Sequence, residues 1–176
     1  MKNQFVRVDR AEYPLNRRLK VVLENLNCTD KVAIMEIDDS FTNGRQIVDT
    51  YQFPEELGIN TLFFKGKKGK QVDYLAILAP FKKKVVTKTI KKNLGYRDLE
   101  FLDKNEAEQI THQEFGAFSP FGLSSDWKIL TSEDITNMPE LIIGSGERRL
   151  TLKIEGKLLL ELSNISVVPQ NMDYIS

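Results

Sequence analysis

The chain has one cysteine, one histidine and one tryptophan among 176 residues. With Cys28 alone, no disulfide can form within it and a cysteine-based metal site has no second thiolate. A zinc site of standard nitrogen and sulfur ligands is excluded for the same reason. His112 is the sole imidazole, so a serine–histidine–aspartate relay could be built only around it. Its setting, THQEF, is polar and carries no nucleophile motif, which reads as a surface or helix-end role. Cys28 follows Asn27 at the end of an expected helix, with no histidine near it, and reads as an inert or semi-buried thiol. No apolar run approaches the ~20 residues a membrane span needs. The opening MKNQFVRVDR is polar and lacks the apolar centre of a secretory signal. A reducing cytoplasm, with no membrane partner, is the expectation.

Acid is scarce in one place. From Thr61 to Arg97 there are eleven Lys or Arg residues and a single acid, Asp73. The remainder holds 14 basic and 24 acidic residues, so a chain of formal net charge zero is split into a block of +10 and a surround of −10. Such segregation points to a polyanionic partner, which would meet this block first. The block also contains apolar strand-like runs, so its charge is not carried on a disordered tail. Apolar residues at 41% and charged residues at 28% fit a globular domain whose length supports a real core.

Read in order, residues 1–30 begin irregular and then turn helical. Pro14 suits a first helical turn, and Leu15, Leu19, Val22 and Leu26 recur at helical spacing, opposite Arg17, Arg18, Lys20 and Glu24. This predicts an amphipathic helix packed on the body. A strand is expected from Lys31 to Ile37, then a loop at Asp38, Asp39 and Ser40. Two adjacent aspartates with no third ligand at a useful spacing read as a solvated turn before a cation site. A helix from Gly44 to Gln52, ended by Pro54, precedes a strand from Thr61 to Lys65. Alternation puts Leu62 and Phe64 on one face of that strand, and Phe63 and Lys65 on the other. Gly66 to Gly69 reads as a basic hairpin turn. Asp73 to Ala79 reads as a strand buried on both faces, closed by Pro80.

A helix from Val85 to Leu94 follows, with Val86, Ile90 and Leu94 as its buried stripe and Gly95 as its stop. Then come a strand from Leu99 to Leu102 and a helix from Lys104 to about His112, capped by Asp103. FGAFSPFG at 115–122 specifies a tight loop wrapped in aromatic surface. Strands are expected at Trp127–Leu130, Leu141–Ile143 and Ile165–Val168, with helical turns at Ser132–Asn137 and Lys157–Leu162. Arg149 to Glu155 alternates, with Leu150, Leu152 and Ile154 inward and Arg149, Thr151, Lys153 and Glu155 outward. Helices and strands mix without a strict βαβ rhythm, which predicts an α+β fold on a mixed sheet.

Some residues carry two readings. Lys65, on a strand face shared with Phe63, loses hydration unless an anion or a wet cleft meets it. Otherwise its stem snorkels to the rim of the sheet. GSGE at 144–147 is no dinucleotide fingerprint, because position 149 is Arg. It is a plain turn between strands or a loop whose amides face a ligand. Lys82, Lys83, Lys84 and the lysines of the helix that follows are a solvated face or a grip on phosphates. The lopsided charge favours the latter.

Five features in order bear on a family. They are LFFK at 62–65, DYLAILAP at 73–80, a lysine-bearing helix ending in Leu94 and Gly95, the loop GAFSPFG at 116–122, and IIGSGERRLTLKI at 142–154. Together, over about residues 31–163, they resemble the YbaK/ProX family of aminoacyl-tRNA deacylases, related to the editing insertion of bacterial prolyl-tRNA synthetases. The resemblance implies a curved mixed sheet surrounded by helices, spanning 31–176 as one domain, with 1–30 as an extension. It implies hydrolysis of the ester on a mischarged tRNA without metal or cofactor. It places the family's essential lysine on Lys65 and its G-x-x-x-P loop on Gly116 and Pro120, with Ala117, Phe118 and Ser119 between. The glycine turn falls on Gly144, Ser145 and Gly146. Asp38 to Thr42 departs from the family's usual small-residue segment, which helps shape the amino-acid pocket.

The chemistry expected is modest. An aminoacyl ester is already reactive, so a site has to hold its carbonyl against fixed donors and place one water. No residue stands out as general base, so a ribose hydroxyl would assist the water. Lys67, Lys68, Lys82, Lys83, Lys84, Lys88, Lys91 and Lys92 would hold the acceptor stem through phosphates, which position without specifying. The expected partner is aminoacyl-tRNA, with no DNA and with association with a synthetase as an option. No synthetase body is attached, so action in trans is the expectation. Two alternatives stand beside it: a catalytically silent module that binds tRNA or an amino acid, and a single-strand nucleic-acid binder that stacks bases on Phe115, Phe118 and Phe121.

Overall fold

The structure is a computed structural model that describes residues 4–12, 15–169 and 173–176. Its centre is a nine-stranded mixed sheet in the order β1-β2-β8-β7-β3-β4-β6-β9, with β5 pairing β3 off that path. The long hairpin of β3 (Gly58–Lys68) and β4 (Gln71–Pro80) forms its middle. Around it lie β1 (Val6–Arg7), β2 (Ala33–Glu36), β5 (Asp98–Phe101), β6 (Lys128–Thr131), β7 (Leu141–Gly144), β8 (Leu150–Ile154) and β9 (Ile165–Val167). Among the described residues five α-helices complete the fold: α1 (Arg17–Asn25), α2 (Gly44–Tyr51), α3 (Thr87–Leu94), α4 (Lys104–Thr111) and α5 (Glu133–Thr136). The mixed architecture matches the expected class. None of the described helices is long and apolar enough to cross a membrane.

Strand β4 shows why the sheet sits in the middle. Ala76 and Leu78 join a large core with Phe63, Ile129, Leu152, Leu19 and Leu23. Leu75 and Ile77, pointing the other way, join a second core with Phe64, Ile90, Tyr96 and Tyr174. All four are completely buried, as its unbroken apolar sequence predicts. Helix α1 contributes Leu19 and Leu23 to the first core, so it covers the sheet. Its buried stripe includes Leu23, which the expected spacing left out. Asn16 caps it, accepting from the Arg18 amide, and Pro14 lies outside the described residues.

Several boundaries move. The hairpin turn is Gly69–Lys70, not the whole of residues 66–69, because Gly66, Lys67 and Lys68 continue β3 opposite Asp73, Val72 and Gln71. Strand β3 also begins three residues earlier than expected, at Gly58. Helix α3 starts at Thr87, because Val85 and Val86 are held by the C-terminal segment: Val85 bridges Ile175, and the Val86 amide donates to the Tyr174 carbonyl at 2.7 Å. Thr151 does not face outward. It is 1% exposed, because both faces of β8 are covered, and its hydroxyl donates to the Ile143 carbonyl at 3.2 Å.

Candidate functional site

On one edge β3 pairs with β4 from Ile59 to Lys68. On the other it pairs with β7 through Gly58 and Ile59, and with β5 through Phe64 to Lys67. Residues 60–63, between those two partners, have no strand against them on that edge among the described residues. The Phe63 carbonyl accepts from the Leu102 amide at 2.9 Å. A cavity of about 560 Å³ opens over this gap, with Asn60, Thr61, Leu62 and Phe63 in its wall.

The loop after α4 forms the facing wall. Gln113, buried and 5% exposed, holds it from within: its carboxamide oxygen accepts from Ser119 N at 2.7 Å, and its nitrogen donates to the Ser119 and Phe121 carbonyls at 3.1 Å. The Gly146 amide ties the loop to the next turn by donating to the Ala117 carbonyl at 2.7 Å. Phe118 stacks on Phe63 at 4.2 Å between centroids, so the loop is locked to β3 by aromatic contact as well. The amides of Phe115, Ala117, Ser119 and Phe121 are consumed by these internal bonds. Those of Gly116 and Phe118, both cavity-wall residues, have no partner among the described residues. Pro120 has no amide to offer.

Two glycines make this approach possible. Gly116 has φ +92°, and a Cβ there would lie 2.3 Å from the Thr42 carbonyl oxygen. The loop before α2 therefore rests directly on it. A Cβ on Gly144 would meet the carbonyl oxygens of Ala117 and Phe118 at 2.4 Å, so β7 passes directly against the turn. Asn43 caps α2 by accepting from the Gln46 amide at 3.1 Å, and Thr42 N donates to Gln46 Oε1 at 2.8 Å, which fixes this third wall. The Asp38 region is a turn: Asp38 Oδ1 accepts from Ser40 N at 2.9 Å, and the Ser40 hydroxyl, followed by that amide, lowers the Asp38 pKa.

The sequence-predicted site residues divide. Gly116, Ala117, Phe118 and Gly144 line the cavity together. Ser119, Pro120, Ser145 and Gly146 stand behind the wall as its scaffold. The Ser145 hydroxyl lies between the carbonyls of Glu147 and Leu150 at 2.9 and 2.8 Å and is 4% exposed. Lys65 is not among the residues that line the cavity. It lies on the expected face, but its Nζ donates to both oxygens of Glu106 on α4 at 2.8 and 3.1 Å. The Tyr74 hydroxyl donates to the same carboxylate at 2.9 Å. The Glu106 hydrogen bond raises the Lys65 pKa, and Lys65 in turn lowers that of Glu106.

The cavity's charged wall residue is instead Arg148, whose backbone amide donates to Glu114 Oε2 at 2.5 Å. Its guanidinium has no partner among the described residues. Asn60 likewise has an unpartnered carboxamide. Cys28 is deep in the first core, where burial raises its pKa, and His112 is an exposed helix C-cap at φ 55°. Neither lines the cavity. Among the described residues no three His, Cys, Asp or Glu side chains group as a metal site. The lysines expected to meet nucleic acid are exposed at 68, 82, 83, 84, 88 and 92 and partly so at 67 and 91. Lys82 bridges Glu55 at 3.1 Å and Lys67 lies 3.6 Å from Glu100. The run 82–84 starts at the cavity, since Phe81 is in its wall.

Residues 43–162 match the family model of the aminoacyl-tRNA editing domain. The chain belongs to that family. Its fold is shared with a solved protein proposed to be a trans-editing enzyme for prolyl tRNA synthetase, at 20% identity over 90% of this chain and 97% of that one, TM-score 0.73. The hypothetical protein APE2540 gives 13% identity, 86% and 99% coverage and TM-score 0.73. A scaffold protein used for epitope grafting gives 21%, 86%, 94% and 0.71. Comparison with curated proteins returns no match. In this editing domain, Asn43, Asn60 and Arg148 are polar wall residues that sequence reasoning passed over, whereas Phe41 and Thr42, also in the wall, belong to the segment it linked to the pocket. Asn60 had one available signal: it stands five residues before Lys65 on the same strand, on the stretch whose second edge is open.

Proposed function

We propose that the protein hydrolyses the ester of a mischarged aminoacyl-tRNA in trans, by attack of water assisted by a hydroxyl of the terminal ribose. The observation that carries this reading is a cavity whose wall includes Gly116 and Phe118, residues of a turn held by Gln113 whose main-chain amides have no partner among the described residues. Such fixed donors stabilise the oxyanion of an ester under attack at no reorganisation cost. The reaction adds water across the acyl C–O bond, giving a free amino acid and the ribose hydroxyl. In this reading Asn60, a wall residue, accepts a hydrogen bond from the substrate's α-ammonium, and Arg148 meets the terminal phosphate. Lys82, Lys83 and Lys84, next to the wall, would continue the phosphate track along the acceptor stem. Lys88, Lys91 and Lys92 lie further along the same block.

The test is release of amino acid from a panel of aminoacyl-tRNAs, correctly and wrongly charged. Turnover on at least one mischarged tRNA is expected, and none across the panel sinks the proposal. A silent binding module is the second reading, favoured by the lysine that is tied to Glu106 rather than free in the cavity. Salt-sensitive tRNA binding without turnover would establish it.

A further inference from the structure

The cavity differs from floor to rim in a way that bears on what enters it. Its deep wall is aliphatic: Ile47, Ile59, Ile143 and Leu150 are 7, 2, 2 and 1% exposed. Its rim is aromatic and wet: Phe101 and Phe115 are 65 and 45% exposed although both are large apolar side chains. Among the described residues no wall residue is acidic, and the one charged wall residue, Arg148, is a cation. A volume of about 560 Å³ is within the range of sites that enclose a drug-sized ligand.

We propose that the cavity seats a bulky apolar aminoacyl side chain, aliphatic or aromatic, with the terminal adenine stacked on the rim phenylalanines. This rests on the editing reading above and names its substrate class. A small side chain would leave the aliphatic floor in contact with trapped water or empty space, forfeiting the burial that holds a larger one. A lysyl or arginyl side chain would bring its charge among apolar groups with no carboxylate to meet it, beside the Arg148 cation. The adenine has flat apolar partners at the rim, where base–aromatic stacking is tolerant of base identity. The α-ammonium has the free carboxamide of Asn60 at mid-wall. Side chain, backbone and base thus have separate seats.

The test uses the full chain and amide-linked 3′-aminoacylamino-adenosines carrying alanine, leucine, phenylalanine or lysine, titrated by calorimetry. Each buried methylene strengthens binding about fourfold, so the leucyl and phenylalanyl analogues should bind at least about tenfold tighter than the alanyl one. The lysyl analogue should bind most weakly. Ile47→Phe, which fills the floor, should cancel most of the leucyl advantage; should that variant not fold, the wild-type series decides alone. A flat series, an alanyl preference or no binding by any of the four overturns the inference. Tight binding of the bulky analogues with no hydrolysis of the matching aminoacyl-tRNAs leaves the inference standing and removes the deacylase reading. Hydrolysis that is fastest on alanyl-tRNA does the reverse.

Discussion

The two halves of β3 do opposite things. From Phe64 to Lys67 the strand is paired on both edges, by β4 and β5, and its lysine is bound to Glu106. From Asn60 to Phe63 it is paired on one edge only, and the open edge faces the cavity. A site needs polar groups that the fold has not already satisfied, and Asn60 supplies one. The more noticeable residue, a lysine on an aromatic-flanked strand, sits in the other half with its ammonium bound to Glu106. The less noticeable one, Asn60, sits where a ligand can reach it.

The contrast breaks most completely if the open half is closed. Valine at Gly144 would drive its side chain into the carbonyls of Ala117 and Phe118, which a Cβ alone would already meet at 2.4 Å. Those are backbone atoms of a turn pinned by Gln113, so they cannot yield cheaply. Gly144→Val should lower stability by about 3 kcal/mol, read by urea unfolding, and abolish binding of any aminoacyl analogue. Equal stability and intact binding would mean that the turn is mobile and the rigid-donor argument fails.

Asn60→Ala is the next largest effect. Its carboxamide has no partner among the described residues, so folding should be unchanged to within about 0.5 kcal/mol. Deacylation should fall about a hundredfold if Asn60 orients the ester by its ammonium group, the loss usual for one oriented donor or acceptor. A variant with wild-type turnover would assign the wall of β3 to packing alone.

Much of this molecule was legible before its coordinates. The unbroken apolar run of β4 gave a strand buried on both faces, Asp103 gave the cap of α4, and FGAFSPFG gave the turn that closes the cavity. What failed was register along β3. Period-two alternation assigned Lys65 to the right face, but alternation says nothing of which edge is open, since that depends on where β5 and β7 stop. Those ends are tertiary facts, set by partners 40 and 80 residues away. Thr151 failed for a related reason: an alternating strand looks half-buried whether or not a second layer covers its polar face.

The paired half can be tested by acid. Asp73, opposite Gly66, is 90% buried, and burial alone would raise its pKa; hydrogen bonds from Lys128, Tyr96 and Gln71 override that and hold it at about 2. The folded pKa lies below the ordinary value near ~3.9, so the stabilisation is complete above about pH 4 and is lost as pH falls through about 2. Asp73→Asn should cost about 2 kcal/mol at neutral pH and flatten unfolding stability across that acid window. A profile as steep as that of the wild type would place the acid sensitivity elsewhere. Binding of aminoacyl analogues should be untouched, because Asp73 does not line the cavity.

The smallest effect expected is the one that separates the halves most sharply. Lys65 carries a raised pKa because Glu106 hydrogen-bonds its charged form. Its contribution is therefore fully present at neutral pH and is lost only as pH rises above the ordinary lysine range, so it cannot accept a proton from water near pH 7. It is a partly exposed ion pair, of a kind that contributes little, and it lies outside the cavity wall. Lys65→Ala should change deacylation by no more than about threefold, with Glu106→Gln matching it, whereas Asn60→Ala fails by two orders of magnitude. Should Lys65→Ala instead remove most of the rate while Glu106→Gln retains it, the ammonium must leave its carboxylate and swing to the substrate during turnover. The closed half of β3 would then be the working one, and the reading of the strand would have to be reversed.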